Sequence, residues 1–493
     1  MKNVIYIILL ACVFTSCSDS FLDRFPKGRW HHGNYTPDQE LDNAILVQAK
    51  LQQAYADLRN YSYCTGVLGM ENFTTPDAEK GSTASDGGQL VEFKPMSYTA
   101  ANTRIRDYYK LCYTTIYKTN EAMALLQTVP DSEPTKERLN AEAIFLRALM
   151  YFRLTRAFGG VPYVDHVLGQ EEKTPARSSQ EEIYANIERE LLWTIDRLPT
   201  RKELLAEGNE GRATQNAARA VLAKAYLQQN KFSDAFGQTS AIINSGDNDL
   251  STPYDQIFRE VNEYGPESVL EVYVDFKPSE KINLNSQWAQ VQGVRGKPNL
   301  GWGFNGPSQV LMDAYEPGDP RKAATVIANG DILDGDPIVA AANAYQFFNK
   351  KLYPVKAERN VWGRSDGSQG KWVNIRLIRY ADVLLMHAEA ANEIGNVNEA
   401  LDKLEMVRAR ARGNNTDVLP KVTTREPNEL REKIRHERRI ELALEFGRFY
   451  DLVRWGVAKD VIKNFVPGKH ELFPIPQEEI DKSNGVITQN PNY

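Results

Sequence analysis

Residues 214–246 lay small and apolar side chains in two successive stripes, and such a chain can bury both only by folding into paired helices. Ala217, Val221, Leu222, Ala225 and Tyr226 share one helical face, Asn230-Lys231 turns the chain, and Phe232, Ala235, Phe236, Thr239, Ile242 and Ile243 share the next face before Gly246 ends it. The design recurs later. Leu377, Ala381, Leu384, Leu385, Ala388 and Ala391 form a face, Gly395-Asn396 turns, Val397, Ala400, Leu401, Leu404 and Val407 form the partner face, and Gly413 closes it. Alanines at facing positions let two helices approach closely, and a short turn makes them antiparallel.

Both pairs resemble tetratricopeptide repeats, in a degenerate form, because Ala225 to Ala235 spans ten residues and Ala388 to Ala400 spans twelve. Further helices are predicted over 40–59, 104–128, 136–158, 180–197 and 427–446. The segment 136–158 stops at Phe158-Gly159-Gly160-Val161-Pro162 and is predicted to pair with 180–197. Up to four such pairs stack and bury a shared core. Between them, 60–100 is rich in Gly, Ser, Thr and Asp, and 247–375 in Gly, Pro, Asn and Trp, with short strand-like pieces at 268–274 and 372–375. The predicted fold is therefore mainly α: a tetratricopeptide-like helix-pair scaffold with a loop-rich, irregular region packed on it. Long ordered loops on such a frame are functional surfaces.

The start of the chain gives a location. Lys2 is the only charged residue before Asp19, and 4–14 is an unbroken apolar run of eleven residues. That is short of the roughly 20 that span a bilayer and is of the length found in a secretory leader. The run ends in Phe14-Thr15-Ser16-Cys17, which resembles a lipobox and implies a signal peptide over 1–16 and lipid attachment at Cys17. A formal charge of −6 and the lack of a basic, aromatic-laced stripe argue against nucleic acid. Cys64 and Cys112 read either as two buried thiols or as an envelope disulfide, with thiols favoured; no Cys/His spacing calls for zinc. Gly301-x-Gly303-x-x-Gly306 matches a dinucleotide fingerprint by letter, but Lys297-Pro298-Asn299 precedes it and Pro307 follows, so the glycines are read as permitting a tight, Trp-bearing turn. No cofactor and no metal are expected.

The end of the chain carries a family resemblance. RHERRIELALEFGRFYDLVRWG at 435–456 and LFPIPQEEIDKSNGVITQNPNY at 472–493 resemble the terminal signatures of the SusD/RagB family, outer-membrane nutrient-binding lipoproteins of the Bacteroidetes. CSDSFLDRFPKG after the leader, DAEKG at 77–81, the stretch from Gly301 to Arg321, and the helix pair at 377–411 are similar to it as well. The resemblance implies a non-catalytic lipoprotein at the cell surface. It binds an oligosaccharide, glycan or peptide and hands it to a SusC-like TonB-dependent barrel. It also implies this division: a helical region over 17–246, a loop-rich ligand face over 247–375, and helix pairs with the signature tail over 376–493.

Within that reading the ligand face combines 60–100 with 280–365, and Phe73, Asp77, Tyr98, Trp288 and Trp362 are the candidate ligand contacts, for stacking and planar hydrogen bonding. Trp302 is assigned to packing. The Arg/Glu cluster over 435–454 is read as structural, with Arg438–Glu441 and Arg448–Asp451 as candidate local ion pairs. Two alternatives stay open: a ligand-free surface scaffold, and a glycoside hydrolase using carboxylates from among Asp77, Glu79, Asp331, Asp334 and Asp336.

Overall fold

The computed structural model describes residues 39–130, 135–173, 175–364 and 369–493. The leader and Cys17 lie outside the described residues.

The fold is mainly helical. α1 (Gln39–Asp57), α2 (Thr103–Leu126), α3 (Lys136–Phe158), α4 (Gln180–Ile195), α5 (Gln215–Gln228) and α6 (Phe232–Ser245) precede the irregular region; α7 (Tyr380–Glu393), α8 (Val397–Arg412) and α9 (Pro427–Glu441) follow it. Each helix from α1 to α8 packs on its successor, and α9 lies on α7 and α8. α6 and α7 are therefore neighbours in space although the whole irregular region separates them in sequence.

Local chemistry explains the boundaries. Ser179 and Glu182 form a reciprocal capping box at the start of α4, the Thr214 hydroxyl accepts from Ala217 N at the start of α5, and Gly246 ends α6 in the left-handed region at φ 66°. α3 is buried on nearly every side, as suits the centre of a stack. Its buried charges are all answered from neighbouring elements. Glu142 meets Arg212 at 2.6 Å, Arg147 meets Glu190 at 2.5 Å, and Arg153 and Arg156 both reach Glu71.

The irregular region is held by short antiparallel pairs. These are β1 (Ala78–Gly81) with β5 (Phe304–Pro307), β2 (Ser268–Val272) with β8 (Ile375–Arg379), β3 (Asp275–Lys277) with β4 (Ile282–Leu284), and β6 (Val326–Ala328) with β7 (Phe347–Asn349). The β2–β8 pair, with Ile375 opposite Val272, joins the two ends of the region next to the scaffold.

Three expectations need correction. Leu377 lies in β8 and not on the face of α7; all five residues of β8 are buried, so no alternation marked it as a strand. The segment after residue 60 opens as a helix, Tyr61–Val67, and continues as a wider π-type turn through Leu68–Phe73. Neither candidate ion pair of the tail forms, and the partners of both arginines come from farther along the chain, although Arg454 does bind Asp451 locally at 2.9 Å. Arg438 binds Asp382 at 2.6 Å and Asp451 at 2.7 Å, Arg448 binds Asp77 at 3.0 Å, and Glu441 receives Arg321, Arg379 and Arg410. The cluster is structural, as expected, but it ties α9 and the tail to α7, α8 and the irregular region. Cys64 and Cys112 are separate buried thiols, and burial pushes each up to about 12.

Candidate functional site

The two irregular stretches meet at a pair of rings. Asn60 caps the helix Tyr61–Val67, its side chain accepting from Ser62 N at 2.9 Å, which sets Tyr61 at the first helical position. Trp302 sits between Gly301 and Gly303. Gly303 has φ 75°, and a Cβ at Gly301 would lie 2.3 Å from the Gln290 carbonyl, so only glycine fits this turn. Trp302 N donates to Gln290 O at 2.9 Å, hanging the turn on the short helix Trp288–Gln292. The Ser286 hydroxyl donates to Arg59 O at 3.4 Å and accepts from Trp288 N, which fastens this segment to the one bearing Tyr61.

The result is an edge-to-face pair, Tyr61 on Trp302, with ring centres 6.0 Å apart and planes at 72°. Both rings are partly exposed. Arg104, near the start of α2, places its guanidinium 5.4 Å from the Tyr61 ring centre. A run of amides continues from the Trp302 turn. Gln287 donates to Gln290 at 3.2 Å, Gln290 to Gln369 at 2.5 Å, and Gln369 to the Asn299 side chain at 3.3 Å. Partly exposed aromatic faces beside planar amides suit a ring with an apolar face and a hydroxyl rim.

A concavity of about 780 Å³ lies between residues 255–261 and 324–361. Its polar groups are largely answered within the protein. Arg364 forks onto Glu260 at 2.7 Å, the Lys350 ammonium donates to Ala323 O at 2.8 Å, and Asp334 accepts from Lys356 N at 2.9 Å. Burial raises the Glu358 carboxyl and lowers the Arg259 guanidinium there.

Of the five expected contacts, four are not exposed. Phe73 is sealed in the core. Tyr98 is enclosed by Phe93, His470, Phe473 and Tyr493. Trp288 is 4% exposed and stacks on Phe446. Asp77 is buried with both carboxylate oxygens held by Arg439 and Arg448. Trp362 alone stands out, 75% exposed and one residue beyond Val361, which lines that concavity. The sequence reading passed over Tyr61 and Arg104 and assigned Trp302 to packing; the signal available for Trp302 was its place between two glycines. Other carboxylates named above are engaged too: Glu79 lies 3.1 Å from Lys94, and Asp336 binds Arg359 and Lys356. Among the described residues no cluster of His, Cys, Asp and Glu is arranged to hold a metal ion, and no helix is long and apolar enough to cross a membrane.

The model of the SusD family matches residues 266–466, and a second, described as starch-binding and associating with the outer membrane, matches residues 34–227. The chain belongs to the SusD family. The SusD-like protein P2 of Formosa agariphila is 25% identical over 516 aligned residues, covering 100% of each chain. Two solved structures superpose closely. Surface glycan-binding protein A from Bacteroides fluxus has 26% identity and a TM-score of 0.76, over 91% of this chain and 99% of that one. A laminarin binding SusD-like protein has 26% identity and a TM-score of 0.76, over 93% of this chain and 100% of that one. The helix stack with its irregular face is thus the SusD fold.

Proposed function

We propose that this SusD-family chain is a lipid-anchored lipoprotein of the bacterial outer membrane that binds an oligosaccharide at the cell surface. It passes the sugar to a SusC-like TonB-dependent transporter and does no chemistry on it. The observation that carries the binding reading is the Tyr61–Trp302 pair, partly exposed, backed by amides, and formed where the two irregular stretches meet. The names of the two solved relatives, one glycan-binding and one laminarin binding, support it. Trp362, exposed and next in sequence to the cavity-lining Val361, is retained as an outlying contact.

Isothermal titration against a panel of oligosaccharides tests the site. Micromolar-to-millimolar binding is expected, with Tyr61→Ala and Trp302→Ala each losing about 1–3 kcal/mol of affinity. Unchanged affinity in both variants would refute the placement. Thin-layer chromatography of the same mixtures is expected to show no cleavage; released products would favour the hydrolase. Cys17→Ala is expected to move the protein out of the membrane fraction, and a tagged copy to co-purify a TonB-dependent barrel.

A further inference from the structure

The arginines of this protein are mostly spoken for. Arg147 reaches Glu190, Arg212 reaches Glu142, and Arg454 forks onto Glu389. Arg104 differs. Its main-chain N–H is capped by the Asn102 side chain at 2.9 Å, which orients the residue at the start of α2. Its guanidinium lies over Tyr61, and among the described residues no carboxylate stands within ion-pair distance of it. Its buried Nε lacks a hydrogen-bond partner, as do those of Arg147 and Arg153, so what sets Arg104 apart is the lack of a carboxylate. Arg104 as a whole is partly exposed, so the part of its guanidinium that solvent reaches, beside the Tyr61 ring and with no carboxylate of its own, can meet an anionic group of a ligand.

The chemistry of the missing partner follows from the group. A guanidinium is planar and permanently charged, and its fork matches the paired oxygens of a carboxylate or sulfate. Of the amides that follow the Trp302 turn, Gln290 is buried on Gln369, and the outer Gln369 and Asn299, bonded to each other, are the groups left to meet neutral hydroxyls. The first turn of α2 carries no acidic side chain, although the Glu92 carboxylate accepts from the Asn102 amide at its N-cap at 2.7 Å.

We infer that the glycan bound beside Tyr61 and Trp302 is acidic, with a uronate carboxylate or a sulfate ester seated on the guanidinium of Arg104. This rests on the glycan-binding reading of the same site. It makes Arg104 the residue that separates charged from neutral sugars, while the rings and amides hold either kind.

The test is titration calorimetry on the purified protein with three probes of matched length: an oligogalacturonate, a sulfated galactan oligosaccharide and a neutral laminarin-type oligosaccharide. At least one acidic probe is expected to bind about ten-fold or more tightly than the neutral one, with an affinity that falls as salt rises. Arg104→Gln is expected to bring that ratio below about three-fold while leaving the melting temperature within a degree or two, since the side chain loses no ion pair and only its contact with the Tyr61 ring. Arg104→Lys, which keeps the charge and loses the fork, is expected to fall between. Which acidic probe wins distinguishes carboxylate from sulfate. Equal or tighter binding of the neutral probe, or an acidic-to-neutral ratio that Arg104→Gln leaves unchanged, overturns the inference while leaving a neutral glycan site at Tyr61 and Trp302 intact. If none of the three binds, the glycan-binding reading falls and this inference with it.

Discussion

The indole of Trp288 lies flat on the ring of Phe446, with centres 5.0 Å apart and planes 10° from parallel. This contact joins the irregular region to the tail just after α9, and it places Trp288 inside the protein. Trp288→Ala is therefore expected to destabilise the fold by about 3–5 kcal/mol through the cavity it leaves. Thermal unfolding checks this, and an unchanged melting temperature would contradict it.

Trp362 is expected to behave in the opposite way. Its ring is largely in water, so Trp362→Ala is expected to shift stability by no more than about 0.5 kcal/mol. As an outlying contact it is expected to contribute about 1 kcal/mol to binding of a longer oligosaccharide. Titration of wild type and variant with the same sugar measures the difference.

Glu441 holds three arginines together, so Glu441→Ala strands Arg321, Arg379 and Arg410 in the interior. A loss of about 3–5 kcal/mol is expected, because breaking a buried pair leaves uncompensated charge. Loss of soluble expression, or a steep fall in melting temperature, would report it.

The same carboxyl sets an acid limit. Burial pushes Glu441 up, but Arg410, Arg379 and Arg321 more than reverse this and hold it at about 2; Asp451, between Arg438 and Arg454, also lies below the ordinary range. Groups depressed in the folded state add stability that is complete above their unfolded values and lost as the pH falls through the folded ones. The melting temperature is expected to hold down to roughly pH 4.5 and to drop between there and about pH 2.

Glu263 runs the other way. Burial lifts its carboxyl well above the usual range, against the pull of Arg376, with Glu271 adding to the rise. Its favourable contribution is present below the unfolded value and lost as the pH rises through the folded one. Glu263→Gln is therefore expected to raise the melting temperature relative to wild type at pH 8 and to bring no gain at pH 4. A uniform difference across that range would contradict the assignment.

The helix stack was legible because its apolar stripes are local. Ala217 to Tyr226 and Ala381 to Ala391 announce their faces within a few turns, and the glycines at 246 and 395 mark the ends. The ligand contacts were less legible because burial of a loop aromatic is decided elsewhere in the chain. Tyr98 is covered by His470, Phe473 and Tyr493, and Asp77 is claimed by Arg439 and Arg448; no window around either residue reveals this. The pairing of Arg438 failed for the same reason. Helical spacing offered Glu441, but Asp382 and Asp451 arrive from other elements with better geometry. The stretches expected to form the ligand face do come together, at Tyr61 and Trp302, through residues whose value depends on meeting each other.

The contact between α6 and α7, with β2 and β8 fastened beside it, makes the intervening stretch a cassette clipped to a finished chassis. Such a unit can be rewritten in its outward loops while Trp288 stays on Phe446 and Arg321 on Glu441. One frame can thus accept new outer loops as long as those inner anchors are kept.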